Sequence, residues 1–166
     1  MDLLFIFEWF DTSWLAGISK EWGGIYAVVQ TIHLSGMALL GGMIFLGDMR
    51  MLNIILKDVP AEIIIRNTDF LIKLALFFMI LSGAYMMSAV AIKLYYNSFF
   101  LAKMIGFLMG LVFLFTIRRQ VYKRSFDEFN ALGNIGIHPV SIRMVAIANL
   151  VIWYSVAASG RWIGFS

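Results

Sequence analysis

The sequence predicts an all-α protein, a transmembrane four-helix bundle with an N-terminal interfacial amphipathic helix, forming a single membrane domain over residues 1–166. Four apolar stretches, at about 24–46, 70–92, 99–117 and 144–162, each reach the roughly 20 helical residues needed to cross about 30 Å of hydrocarbon. The chain is 61% hydrophobic and only 14% charged, with a mean hydropathy of +0.87, which is not the composition of a soluble globule. Its Lys and Arg residues gather in the connections between the apolar runs.

Residues 3–22 differ from the spans. Glu8, Asp11, Lys20 and Glu21 interrupt an aromatic run of Phe5, Phe7, Trp9, Phe10 and Trp14, a mixture that suits a helix lying in the interface. Asp11, Thr12 and Ser13 are helix-starting caps before Trp14 and Leu15, so a break and a second short helix are expected there. Met1–Phe10 lacks a basic leading region and a small-residue cleavage pattern, and no cleaved signal peptide is expected.

Loop charge sets the expected orientation, because Lys and Arg are retained on the cytoplasmic side of short loops. Arg50, Lys57, Arg66 and Lys73 flank the connection after the first span, and Arg118, Arg119, Lys123, Arg124 and Arg143 the connection after the third. The opposite side has Lys20, Lys93, Lys103 and Arg161. This places both termini on the non-cytoplasmic face of a bacterial inner membrane. The connection 118–141 contains Gly133, Gly136 and Pro139, so its middle is expected to be irregular.

Several function classes are excluded by inventory. With no cysteine, disulfides, thiolate metal sites and thiol catalysis are absent. A formal net charge of +3, with no basic stripe interleaved with aromatics, argues against nucleic acid as a partner. No G-x-S-x-G, H-E-x-x-H or phosphate-binding glycine loop is present.

Ionisable groups inside a span need a partner or a purpose. His33 is the clearest. It lies nine residues into the first span, about 13 Å deep, with Tyr26, Gln30, Met37 and Gly41 at helical spacing and Gly36 and Gly42 nearby. Small residues there would let a flat cofactor or a neighbouring backbone approach the imidazole. Lys103, early in the third span, and Arg161, at the end of the fourth, fall in the same leaflet. An axial nitrogen with two cations for propionates is what a haem needs. The competing reading is structural: His33 bonds a hydroxyl on another helix, with Ser82, Ser88 and Ser155 available, while Lys103 and Arg161 snorkel to headgroups.

The remaining candidates carry less chemistry. His138, in the inner loop, reads as a loop or cap residue. The methionines read as packing, with Met79, Met86, Met87 and Met104 available as a sixth haem ligand. Asp48 is expected to meet a base from another helix, such as Arg143, as a structural latch, and Arg50 to contact lipid phosphates. Trp153 and Tyr154 should pack within the fourth span, and the pair Gly106 and Gly110 suits helix dimerisation.

Ser13-Trp14-Leu15, Tyr26 to His33 with Gly36, Gly41-Gly42, Asp48-Met49-Arg50-Met51-Leu52, Phe99/Phe100 with Lys103, and Trp153 to Gly164 together resemble a family of small bacterial four-span membrane proteins of unassigned function. The chain departs from that pattern at Gln30, where a glutamate is frequent, and near Thr116, where a second histidine is frequent. The layout more distantly resembles the copper-resistance D and four-span protoporphyrinogen oxidase families. The latter resemblance implies haem association, with functional roles at His33, Lys103 and Arg161.

The expectation is therefore a b-type haem protein of electron transfer or a small oxidoreductase reaction. His33 would ligate the iron, oriented by Gln30 or a backbone carbonyl; Lys103 and Arg161 would pair with propionates, and Gly36 would admit the ring. A homo-oligomer and a quinone or redox-protein partner would accompany it in the bilayer. The alternative is a cofactor-free accessory subunit or a metal or solute permease.

Overall fold

A computed structural model describes residues 4–132 and 139–165, and every regular element among them is helical. Gly133, Gly136 and His138 lie outside the described residues. Two short helices open the chain, α1 (Leu4–Asp11) and α2 (Trp14–Glu21). The break between them is capped by Ser13, whose hydroxyl accepts from Ala16 N–H at 3.3 Å, and it is bridged by Lys20 to Asp11 at 2.8 Å. The long helices follow: α3 (Gly23–Met51), α4 (Ala61–Ala89), α6 (Ser98–Phe113) and α8 (Pro139–Trp162), with α5 (Ala91–Tyr95) between α4 and α6. Four helical stretches are long and apolar enough to cross a membrane, and they pack together as a bundle.

The third stretch is longer than its apolar run. A π-helical segment, Leu114–Arg118, joins α6 to α7 (Arg119–Leu132), so helix continues well past Ile117, where hydropathy alone ends the span. Buried positions in this stretch recur every fourth residue, at Gly110, Leu114, Arg118 and Tyr122. α4 likewise begins nine residues before the apolar run it contains.

Glycines set the helix spacing. Along α3 and α4, a Cβ on Gly36 would sit 3.0 Å from Met79, one on Gly47 would meet Ile65 at 3.1 Å, and one on Gly83 would meet His33 at 3.3 Å. Along α6 and α8, the same test brings Gly106 to 3.0 Å from Val156, Gly110 to 3.2 Å from Trp153 and Gly160 to 3.4 Å from Lys103. Lipid supplies no hydrophobic drive between helices, so close backbone approach and the van der Waals contact it permits must hold each pair. Gly106 and Gly110 therefore pack inward against α8, which corrects their expected role as a dimer face.

Between the pairs lies a core of Leu40, Ile44, Ile72, Ala75, Leu76, Met79, Leu114 and Trp153. Phe107 stands edge-on to Trp153, with centroids 5.9 Å apart. Tyr154, expected to pack, instead points outward, because the next position on a helix turns about 100° from a buried neighbour. Phe70, Phe77, Leu81, Leu108 and Val151 are also exposed, as lipid contact requires.

Arg50 has a local task. Its Nε donates to Val59 O at 2.9 Å and its Nη2 to Lys57 O at 3.4 Å. These bonds hold a loop in which Asn53 and Leu56 adopt φ of 58° and 50°, a region costly for a branched side chain.

Candidate functional site

Two polar centres lie along α3, about 22 Å apart by helical rise between His33 and Asp48. The first is built on His33, which is half-buried against α4. Its Nδ1 lies 2.9 Å from Ser82 Oγ, so of the three serines considered Ser82 is the partner. The Ser82 hydroxyl has one proton, and Phe78 O accepts it at 2.5 Å. With the Ser82 proton given to Phe78 O, Nδ1–H is assigned as the donor to Ser82 Oγ, the tautomer that carries its lone pair on Nε2.

The residues expected to surround this imidazole are divided by the structure. Gly83, not Gly36, lies beside the ring; Gly36 faces Met79 one turn further along. Lys103 is close enough to His33 to interact with it electrostatically, and its aliphatic stem lies over Gly160, with Nζ 3.5 Å from a Cβ built there. Arg161 is exposed, its guanidinium 5.1 Å from the Phe165 ring. Gln30 is exposed on α3. His33 and Lys103 thus share a neighbourhood, whereas Gln30 and Gly36 face other surroundings.

Replacing Ser82 with Ala should cost about 0.6 kcal/mol, the mean for interhelical hydrogen bonds within membranes. A thermal midpoint in detergent within error of wild type would show that this bond does not hold α3 to α4.

The second centre was only partly foreseen. Asp48 is 0% exposed and Arg118 2%. Arg118 Nε donates to Asp48 Oδ1 at 2.8 Å, Tyr122 Oη donates to the same oxygen at 3.0 Å, and Asn149 Nδ2 donates to Oδ2 at 2.6 Å. Arg118 Nη1 also donates to Asp69 Oδ1 at 3.2 Å. One guanidinium therefore bridges a buried carboxylate to a partly exposed one, and all four long helical stretches meet here. The carboxylate of Asp48 is engaged on both oxygens, which is what lets it stay buried, while Arg118 Nη2 and Asn149 Oδ1 are buried without a hydrogen-bond partner among the described residues.

Asp48 thus forms a latch with Arg118, not with Arg143, which is exposed. Arg118 had been counted as a loop cation; the continuation of helix through the π segment puts it inside the bundle. Gly47 makes room for it, since a Cβ there would lie 2.9 Å from Arg118 Nη2. Sequence reasoning missed Asp69, Tyr122 and Asn149 as members. The available signals were an asparagine within an apolar run and the four-residue spacing from Gly110 to Tyr122.

A family model described as a family of unknown function, DUF6644, matches residues 6–166. The chain belongs to this family. No curated protein matches the chain, and no solved structure does. For this DUF6644 member, the match runs from α1 through both polar centres to the end of the fourth span.

Proposed function

We propose that this DUF6644 protein is a b-type haem membrane protein of electron transfer or a small oxidoreductase reaction. One observation carries the reading: His33 is oriented by Ser82 through Nδ1, which leaves Nε2 in the metal-binding form. A ligating histidine is held in the same way, its other nitrogen donating to a fixed acceptor. Lys103 supplies a cation near the ring, and Gly83 keeps the facing backbone close to it. Imidazole and ammonium are the chemistry such a group asks for, and the resemblance to the protoporphyrinogen oxidase family implies roles for the same two residues. When bound, haem would supply one-electron redox chemistry. With one histidine in the spans, a methionine, Lys103 or a second copy of the chain would supply any further ligand. The redox partner would be a quinone or a membrane redox protein.

The loop charges support residence in a bacterial inner membrane with both termini outside the cytoplasm. That bias persists without Arg118, through Arg50, Lys57, Arg66, Arg119, Lys123, Arg124 and Arg143.

A cofactor-free accessory subunit or permease is the second reading, and Arg161 favours it. Its guanidinium rests on Phe165, so the second propionate partner is engaged elsewhere, and the His33–Ser82 bond already serves as an interhelical contact.

Absorption spectra of protein purified in detergent after expression with ample haem separate the two. We expect a Soret band with sharp reduced α and β bands, lost in His33→Ala. A featureless wild-type spectrum sinks the haem proposal, and haem retained by His33→Ala sinks the ligand assignment.

A further inference from the structure

A cavity of about 50 Å³ opens beside the Arg118 node, lined by Lys73, Arg118, Arg119 and Asp69 over apolar side chains that include Ile72 and Phe115. Its volume exceeds the roughly 10–15 Å³ that a single water needs. Arg118 is committed to Asp48 and Asp69. Lys73 and Arg119, by contrast, have no hydrogen bond or ion pair among the described residues, and both are exposed. Counting Asp48, Asp69, Arg118, Lys73 and Arg119, two negative and three positive groups leave one positive charge. The apolar wall belongs to helices that face lipid.

We propose that this cleft binds a singly charged phosphate ester, with Lys73 and Arg119 taking the phosphate oxygens and Ile72 and Phe115 lying against the carbon skeleton. A phospholipid headgroup and a soluble phosphate ester share this chemistry. Arginine offers a planar fork for two oxygens and lysine a mobile point charge, while Asp69, which also lines the cavity, has its charge offset by its bond to Arg118. The site is independent of any haem at His33.

The full chain in detergent, titrated with phosphatidylglycerol and read by native mass spectrometry, tests this. Lys73→Gln with Arg119→Gln should weaken binding at least tenfold, whereas Lys123→Gln with Arg124→Gln, exposed cations outside the cleft, should change it less than twofold. Both pairs are surface changes, and unchanged thermal midpoints confirm the fold. Binding of glycerophosphoglycerol, the singly charged diester without acyl chains, with the same dependence on Lys73 and Arg119 would assign the site to a soluble ester; its failure to bind, with the lipid result intact, would assign it to lipid. Equal losses for the two pairs would reduce the effect to general surface charge and overturn the proposal. So would binding unchanged by Lys73→Gln with Arg119→Gln.

Discussion

Arg118→Met is expected to leave little folded protein. The substitution keeps much of the side chain's volume but strips from Asp48, a carboxylate with no exposed surface, the only cation paired with it among the described residues. Tyr122 and Asn149 still donate to it, yet neither carries a charge. Breaking a buried pair by removing one partner costs about 3–5 kcal/mol, a large share of the roughly 5–15 kcal/mol that holds a typical domain. Removing both charges is a different matter. Asp48→Leu with Arg118→Met leaves no uncompensated ion, because Asp69 has a side chain 36% exposed and can find its own solvation. The double variant should therefore recover part of the loss, the remainder being the buried donors of Tyr122 and Asn149 left without their acceptor. Thermal midpoints of the wild type, both singles and the double, by fluorescence-detected size exclusion, give the coupling between the two residues. A double variant no better than Arg118→Met would show that the shape of the guanidinium, more than its charge, holds the node.

Gly110→Leu should be the next most damaging change. A Cβ there already lies 3.2 Å from two atoms of the Trp153 ring and 3.3 Å from Ile152, so a larger side chain must push α8 off α6. Overpacking of this kind costs about 1–3 kcal/mol, and the upper end applies here because the obstacle is a buried indole. Trp153→Ala alone opens a cavity at a cost of about 3 kcal/mol. Placed together, the leucine enters the space the indole vacates, and the pair should cost clearly less than the sum of the two singles. Were the Gly106 and Gly110 face a dimer interface, Gly110→Leu would change the oligomeric state and barely move the midpoint. Light scattering and melting on the same samples distinguish these outcomes.

The contrast between the two polar centres shows which physics a sequence exposes. Four spans were legible because crossing hydrocarbon is a local requirement on length and apolarity, satisfied within each helix. His33 stood out for a related reason: an imidazole deep in an apolar run is anomalous wherever its partner lies, and Ser82 was one of three serines at hand. Arg118 carried no such mark. It opens a basic run, Arg118, Arg119, Lys123 and Arg124, that reads as an inner loop, and only the continuation of helix into α7 turns the first of these inward. Asp48 was legible as a latch but not its partner, since Arg143 and Arg118 are equally basic and their positions depend on where a helix ends. Gly106 and Gly110 spell the same motif whether the partner is α8 or another chain.

The widened turn at Leu114–Arg118 bears on how the third stretch can change. In a regular α-helix, each step of four residues overshoots a full rotation by about 40°. Gly110, Leu114, Arg118 and Tyr122 could not all stay on one side without a turn that takes up more residues, as i→i+5 bonding does. A wide turn of this kind absorbs about one extra residue, so winding the segment as regular α-helix with all its residues kept would swing everything beyond it by about 100°, carrying the guanidinium away from Asp48. The third stretch is thus two rods locked at a fixed phase, one keyed by glycine to α8 and the other by charge to α3. The wide turn is the joint that lets both keys fit at once.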